Sequence, residues 1–148
     1  MFCLVYKSKA VPNLSFAQIE VLLEKARLFN SANNISGCLL FYEGEFIQYM
    51  EGNHIKVLKL FDKISLDKRH TNVQLLSHGL IEKREFKNWS MAFKNVQGQN
   101  DQLQYIELLV DTFLEKDSPI QGPNPTSKEF WKTTKGLLDY NRALRIID

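Results

Sequence analysis

Two short apolar runs, residues 37–42 and 45–51, flank a two-residue turn that contains glycine. This pattern is typical of a β-hairpin. Strand alternation in the second run puts Phe46, Gln48 and Met50 on one face. A buried amide without a hydrogen-bond partner costs roughly 1–3 kcal/mol. We therefore expect a specific partner for Gln48, and this face is the first place to look for a bound ligand.

Apolar residues at helical spacing follow both the first predicted strand, residues 2–6, and the hairpin. Ser15 and Gln18 form the capping pattern that opens a helix, and Asn53 can cap a second one. Basic residues within 67–70 suit the negative end of the second helix dipole. The apolar positions are Ile19, Leu22, Leu23, Ala26 and Phe29 in the first helix and Val57, Leu60, Phe61 and Ile64 in the second.

Two more strands are predicted at residues 73–81 and 89–93. The resulting order of elements, βαββαββ, is typical of an α+β, ferredoxin-like sheet with both helices on one face. Further helices are predicted at residues 103–114 and after a capping box at residues 126–129. We expect these C-terminal helices to cover the other face of the sheet.

Composition limits the class of protein. The 148 residues are 44% hydrophobic and 24% charged, which fits one soluble globular domain. The net charge of +2 is spread along the chain, so neither a nucleic acid nor an anionic membrane is an expected partner. Cys3 and Cys38 lie in apolar runs without a signal peptide, which favours buried thiols and a cytoplasmic location.

Ordinary catalytic patterns are absent from the sequence. His54, His70 and His78 lack a metal-ligand spacing, and neither cysteine belongs to a C-x-x-C pair. There is also no G-x-S-x-G or H-E-x-x-H motif. We therefore predict that the chain is not an enzyme and holds no metal.

Six short segments form an ordered pattern over residues 1 to about 95 without evident gaps. They are Leu-Val-Tyr-Lys-Ser at 4–8, Phe-Asn at 29–30, Ile-Ser-Gly-Cys-Leu at 35–39, Phe-Ile-Gln-Tyr-Met-Glu-Gly at 46–52, Asp-Lys-Arg-His at 67–70 and Trp-Ser-Met at 89–91. Together these segments resemble the BLUF domain, a family of flavin-binding blue-light sensors.

The resemblance implies roles for five residues around a flavin. Tyr6 corresponds to the tyrosine that donates an electron and a proton to the excited flavin. Gln48 corresponds to the amide between that phenol and the flavin ring. Asn30 is expected to hydrogen-bond the pyrimidine edge of the ring, and Arg69 and His70 are expected beside it.

Four other residues receive secondary roles from the same resemblance. Ser8 is expected to bond the indole of Trp89 or neighbouring groups. Ser8 and Ile35 are also counted with the flavin-binding residues. Trp89 and Met91 correspond to the pair whose position near the amide is thought to report the light state.

The implied function is a photoreceptor that binds oxidised flavin noncovalently. FAD is the usual cofactor of the family, and FMN and riboflavin stay as alternatives. Residues 1–96 are the predicted flavin-binding domain. Residues 97–148 are a helical extension for output and oligomerisation. We expect a homo-oligomer that acts on a separate downstream protein.

Other interpretations stay open on the residues alone. A ferredoxin-like module that binds a small effector without photochemistry has the same predicted fold. An RNA-binding sheet is disfavoured because its aromatic-rich motif is missing. Taken singly, Tyr6 suits any half-buried strand, Asn30 suits a helix cap, and Trp89 with Met91 suits an ordinary core.

Overall fold

A computed structural model of the protein describes residues 1–87, 92–95 and 124–147, with side chains described for 1–87 and 124–139. The strands are β1 Phe2–Ala10, β2 Ser36–Tyr42, β3 Glu45–Gly52, β4 His70–Leu80 and β5 Ala92–Asn95. The helices are α1 Phe16–Ala32, α2 His54–Ser65 and α3 Pro125–Ile147.

The five strands form one sheet in the order β4-β1-β3-β2-β5. β1 pairs antiparallel with β3 and β4, and β2 pairs antiparallel with β3. β5 joins the edge parallel to β2. The first four strands thus have the ferredoxin-like order, and the predicted α+β class is confirmed.

The hairpin between β2 and β3 turns on two residues with positive φ. Glu43 has φ 49° and Gly44 has φ 77°, the conformation of a type I′ turn that matches the twist of the flanking strands. Farther along the same pair, a Cβ on Gly37 would lie 2.0 Å from the Tyr49 carbonyl oxygen. Glycine at 37 therefore lets β2 approach β3 closely.

Both predicted helix starts are confirmed. The Ser15 hydroxyl accepts a hydrogen bond from the Gln18 backbone N–H, and the side-chain oxygen of Gln18 accepts one from the Ser15 backbone N–H. Asn53 Oδ1 accepts from the Lys56 backbone N–H at 3.1 Å. These bonds satisfy donors that the first turn of a helix leaves unpaired.

The sheet carries one apolar cluster on each face. Helices α1 and α2 cover the face that contains Tyr6, Phe46 and Met50. α3 covers the opposite face, where Phe130 and Trp131 pack on strand residues. A C-terminal helix on the second face agrees with the prediction. The helix predicted at 103–114 lies outside the described residues.

The predicted capping box at Thr126 is wrong. α3 begins at Pro125, and Asn124 Oδ1 accepts from the Ser127 backbone N–H at 2.8 Å. Proline at the first helical position has a pre-set φ, which favours this earlier start. Thr126 is buried, and its hydroxyl lies 3.1 Å from the Ser77 hydroxyl.

Three strands also have bounds other than those predicted. β5 continues to Asn95, two residues beyond the strand predicted at 89–93, whose first three residues lie outside the described part of the chain. β1 continues to Ala10 and β4 begins at His70, because the two strands pair along their whole length.

Cys3 and Cys38 are buried free thiols, as predicted. Within residues 1–87, 92–95 and 124–147, no helix has the length and hydropathy needed to cross a membrane. The same residues contain no cluster of three or more His, Cys, Asp or Glu arranged to hold a metal.

Candidate functional site

A cavity of about 270 Å³ lies between the sheet and helices α1 and α2. Its wall is mostly apolar, with polar groups at a few points. The lining residues are Tyr6, Leu14, Leu22, Lys25, Ala26, Phe29, Asn30, Leu39, Phe46, Gln48, Leu60, Lys63, Ile64, Asp67, Arg69 and His70. Such a cavity, with few and converging polar groups, is typical of a small-molecule site.

A hydrogen bond between two buried side chains closes one part of the cavity. Tyr6 and Gln48 are direct partners in the register of β1 and β3, and the Tyr6 hydroxyl donates to Gln48 Oε1. Their exposed fractions are 3% and 5%. The predicted face of Gln48 is confirmed, and the expected partner is a phenol from the neighbouring strand.

The phenol of Tyr6 is held in its neutral form. Burial raises the pKa of Tyr6 well above its usual range, and the negative charge of Asp67 raises this pKa further. Both effects disfavour a phenolate. Proton loss from Tyr6 therefore requires a nearby acceptor, and Gln48 Oε1 is in contact with it.

Asn30 lies in the last turns of α1 and is almost fully buried. Its backbone carbonyl accepts from the backbone N–H of Ile35 at 2.8 Å. Asn33, not Asn30, is the C-terminal cap, and Asn33 Nδ2 donates to the Phe29 carbonyl at 2.9 Å. The side chain of Asn30 is thus placed in the cavity wall without serving as the cap.

His70 is fixed by hydrogen bonds from two elements. Nε2 lies 2.6 Å from the Ile64 carbonyl oxygen in the last turn of α2, and Nδ1 lies 2.8 Å from the Ser8 hydroxyl on β1. A carbonyl can only accept, so Nε2 donates. The imidazole therefore closes the C-terminal end of α2 and holds a set orientation at the cavity wall.

Asp67 and Arg69 form an ion pair at the cavity rim. Arg69 Nε donates to both carboxylate oxygens at 2.9 and 3.1 Å, and a second guanidinium nitrogen contacts Oδ2. These bonds lower the pKa of Asp67 to about 2. The guanidinium charge is thus largely offset by its own neighbour.

Residues 1–92 match the family described as sensors of blue-light using FAD. The match covers more than half of the chain. This chain belongs to the BLUF family. Membership supports the photoreceptor interpretation over the small-effector module.

Curated relatives of this BLUF chain are far longer proteins. The photoactivated adenylate cyclase subunit alpha of Euglena gracilis is 33% identical over 86 residues, which are 58% of this chain and 8% of that protein. The subunit beta of Euglena longa is 30% identical over 90 residues, 60% of this chain and 10% of that protein. The chain thus spans about a tenth of the curated relatives it matches.

Solved BLUF structures include long and short proteins. A bacterial light-regulated adenylyl cyclase is 36% identical with a TM-score of 0.66, over 78% of this chain and 34% of that one. BlsA in its photo-activated state is 27% identical with a TM-score of 0.67, over 89% of this chain and 92% of that one. BlrB in the dark state is 25% identical with a TM-score of 0.68, over 90% and 93%.

The structure brings most of the predicted BLUF site residues to one cavity. Those that line it are Tyr6, Asn30, Gln48, Arg69 and His70. Ser8 lies behind His70 and bonds it, so the neighbouring group expected for this hydroxyl is the imidazole. Ile35 is buried in the core and does not line the cavity. Trp89 and Met91 lie outside the described residues. The roles of all nine stay predictions.

Two basic residues of the cavity wall were not among the predicted site residues. Lys25 and Lys63 reach the cavity from α1 and α2, and the Lys63 ammonium lies 5.4 Å from the centre of the Phe29 ring. Lys25 shares the helical spacing of Leu22 and Phe29, which put it on the inner face of α1. This spacing is the feature of the sequence from which the position of Lys25 in the cavity wall could have been predicted.

Proposed function

We propose that this chain is a blue-light photoreceptor that binds oxidised flavin noncovalently in the cavity between the sheet and helices α1 and α2. The observation that carries the proposal is the buried hydrogen bond from Tyr6 to Gln48 at the wall of that cavity, in a chain of the BLUF family. The signal passes to a separate protein.

The chemistry of the cavity wall suits an isoalloxazine ring. Apolar side chains such as Leu39 and Ile64 match its flat hydrocarbon surface, and the amides of Asn30 and Gln48 match its polar pyrimidine edge. The flavin, when bound, supplies light absorption and an electron acceptor. Asn30 and Gln48 bind and orient it, with Arg69 and His70 beside it.

Tyr6 and Gln48 perform the photochemical step in this proposal. Tyr6 gives up an electron and a proton after excitation, and the Gln48 amide, which both accepts and donates hydrogen bonds, relays the proton. Both return to Tyr6 on recombination, so no net oxidation occurs. Gln48 is left rotated or tautomerised and donates a new hydrogen bond to the ring, which shifts absorption to the red.

We propose FAD as the flavin, with FMN and riboflavin as the alternatives. Lys25 and Lys63 line the cavity as exposed cations, and their charges favour a ligand that carries phosphate. The Asp67 carboxylate offsets the charge of Arg69 and leaves the two lysines as the cations that face this ligand.

The proposed output is a change of protein contacts. Trp89, Met91 and the extension at 97–148 are the proposed switch and transmitter, in a cytoplasmic homo-oligomer that acts on a separate effector. Two observations support an output that leads from the flavin domain through the C-terminal extension to an effector. Relatives of the chain are photoactivated adenylate cyclase subunits, and α3 packs on the face of the sheet opposite the cavity.

The test is the visible absorption spectrum of the purified protein in darkness, after blue light and during dark recovery. We expect a flavin spectrum that shifts slightly to the red and then reverts. A red-light exposure of equal dose is the control and should leave the spectrum unchanged. A colourless protein that takes up no added flavin, or a bound flavin without any shift, would contradict the proposal.

A further inference from the structure

A fully buried carboxylate lies on the face of the sheet opposite the cavity. Glu51 has 0% exposure, and its two oxygens accept four hydrogen bonds. Oε1 accepts from the Ser36 hydroxyl at 2.9 Å and the Phe86 backbone N–H at 2.7 Å. Oε2 accepts from the Tyr49 hydroxyl at 2.9 Å and the Glu85 backbone N–H at 2.8 Å.

Only a carboxylate satisfies this set of donors. Each oxygen of Glu51 receives one backbone N–H, from Phe86 or from Glu85, and a backbone N–H cannot become an acceptor. A glutamine would direct its NH₂ group at one of these donors in either amide orientation. The position therefore requires glutamate, for a reason unrelated to the flavin cavity.

The bonds of Glu51 continue to the first turn of α3. The Tyr49 hydroxyl donates to Glu51 and accepts from Asn124 Nδ2 at 3.0 Å. Glu85 Oε1 accepts from the Asn124 backbone N–H at 2.7 Å and from Nδ2 at 3.2 Å. Asn124 is also the cap of α3. Ser36, Tyr49, Glu51, Glu85 and Asn124 are called the Glu51 network below.

The Glu51 network starts one residue away from the photochemical amide. Gln48 and Tyr49 are neighbours in β3 and point to opposite faces of the sheet. β3 is hydrogen-bonded to β1 and β2 on its two sides, and Gln48 and Tyr49 are consecutive residues of its backbone. On the other side of the network, Glu85 and Phe86 come shortly before Trp89 in the sequence.

We propose that Glu51 is a positioning residue that couples the light-driven change at Gln48 to the first turn of α3. The inference rests on the proposed photoreceptor function. A change of hydrogen bonding at Gln48 alters the backbone of β3, and the Tyr49 and Glu85 bonds carry the change to Asn124. Buried hydrogen bonds in an apolar surrounding break at a high cost, so they transmit a displacement as a unit.

Hydrogen exchange of peptides from α3, measured in darkness and under blue light, tests the coupling together with the flavin red shift. The wild type should show the shift and a light-dependent exchange difference in α3. Glu51→Gln and Tyr49→Phe should keep the flavin and the shift but lose most of that difference. Tyr49→Phe leaves both backbone donors of Glu51 in place, so it carries the test if Glu51→Gln fails to fold.

Asn53→Ala is the matched control, because it removes a helix cap outside the Glu51 network. It should change exchange equally in darkness and in light and keep the α3 difference.

Asn124→Ser keeps a capping oxygen but removes the amide donors, and it should behave like Tyr49→Phe. A wild type with the red shift but no α3 difference, or variants that retain the difference, would overturn the coupling. Absence of the red shift itself would contradict the proposed function instead.

Discussion

The two faces of strand β3 use buried polar groups in opposite ways. On one face Gln48 meets Tyr6 at the wall of a cavity. On the other face Tyr49 and Glu51 belong to a network of side chains and backbone donors that bond to one another next to the start of α3. Polar groups that converge on a cavity indicate a ligand, whereas polar groups that converge on one another indicate a structural junction.

The difference also separates two kinds of sequence constraint. The cavity face must keep a donor and an acceptor available to a ligand, which a neutral amide and a neutral phenol can do. The network face must satisfy two fixed backbone donors at once, which requires the carboxylate of Glu51. The two faces of β3 therefore carry the proposed photochemical residue Gln48 and the proposed coupling network.

The largest expected effect is on stability and comes from Gly37→Ala. This change disrupts the pairing of β2 and β3, on which both faces of the sheet depend. The new Cβ would lie 2.0 Å from the Tyr49 carbonyl oxygen, so β2 and β3 must separate. We expect the free energy of unfolding to fall by about 3 kcal/mol or more. Urea unfolding followed by circular dichroism measures this change.

Gly136→Ala is the matched control with the opposite sign. No atom lies within 4 Å of a Cβ built at this exposed position of α3. Alanine is favoured over glycine in a helix by roughly 0.5–1 kcal/mol, so this variant should be slightly more stable than the wild type. A Gly37→Ala variant as stable as the wild type would contradict the close approach of the two strands.

A pair of tyrosine substitutions separates the two faces by function. Tyr6→Phe should keep the yellow colour and lose the red shift entirely, because it removes the electron donor and its proton. Tyr49→Phe deletes an equally buried hydroxyl on the other face and should keep the shift. Difference spectra before and after blue light compare them. A normal shift in Tyr6→Phe would remove this residue from the donor role.

The cavity face was largely predictable from sequence because its signals are local. Strand alternation put Gln48, Phe46 and Met50 on one face, and helical spacing put Leu22, Ala26 and Phe29 on the inner side of α1. The partner of Gln48 required a resemblance, since Tyr6 is 42 positions away in the chain. The orientation of His70 depends on Ser8, 62 positions away, and no local pattern contains that pairing.

The network face could not be predicted, because its partners are distant and include backbone groups. Glu51 bonds to residues 15 and 35 positions away, and Tyr49 bonds to Asn124, 75 positions away. Backbone donors have no sequence signature, so Glu51 looked like an ordinary end of a strand. The error at Thr126 has a local cause instead, because Asn124 and Pro125 supply a competing helix start two residues and one residue earlier.

Asn30→Ala should weaken flavin binding by about tenfold, the equivalent of roughly 1.4 kcal/mol for one hydrogen bond to the ring. Asn33→Ala is the control, since Asn33 caps α1 only three residues later. That variant should lose some stability and keep its flavin affinity. Fluorescence titration of the apoprotein gives both dissociation constants. Equal affinities for the two variants would show that Asn30 does not contact the flavin.

The double variant Lys25→Gln with Lys63→Gln should weaken FMN binding by about three- to tenfold at low ionic strength, because each exposed cation contributes a modest amount. Riboflavin, which has no phosphate, should bind almost as before. Lys56→Gln with Lys59→Gln removes the same charge from α2 outside the cavity lining. If both double variants weaken FMN binding equally, the overall charge of the protein and not the two lining lysines is responsible.

The smallest expected effect comes from the Asp67–Arg69 pair at the cavity rim, in contrast with the buried carboxylate of Glu51. The pKa of Asp67 is about 2 in the folded chain and about 3.9 in an unfolded chain. The pair therefore stabilises the fold above pH 4 and loses this contribution as the pH falls toward 2. Because the two side chains are 28% and 49% exposed, we expect less than about 1 kcal/mol.

Urea unfolding of the apoprotein between pH 2 and pH 5 measures this contribution. The wild type should lose slightly more stability across that range than Asp67→Asn, which has no carboxyl group to protonate. Arg69→Gln should reduce the dependence in the same way, because it removes the hydrogen bonds that lower the pKa of Asp67. A wild-type slope retained in both variants would place the acid sensitivity in carboxylates other than Asp67.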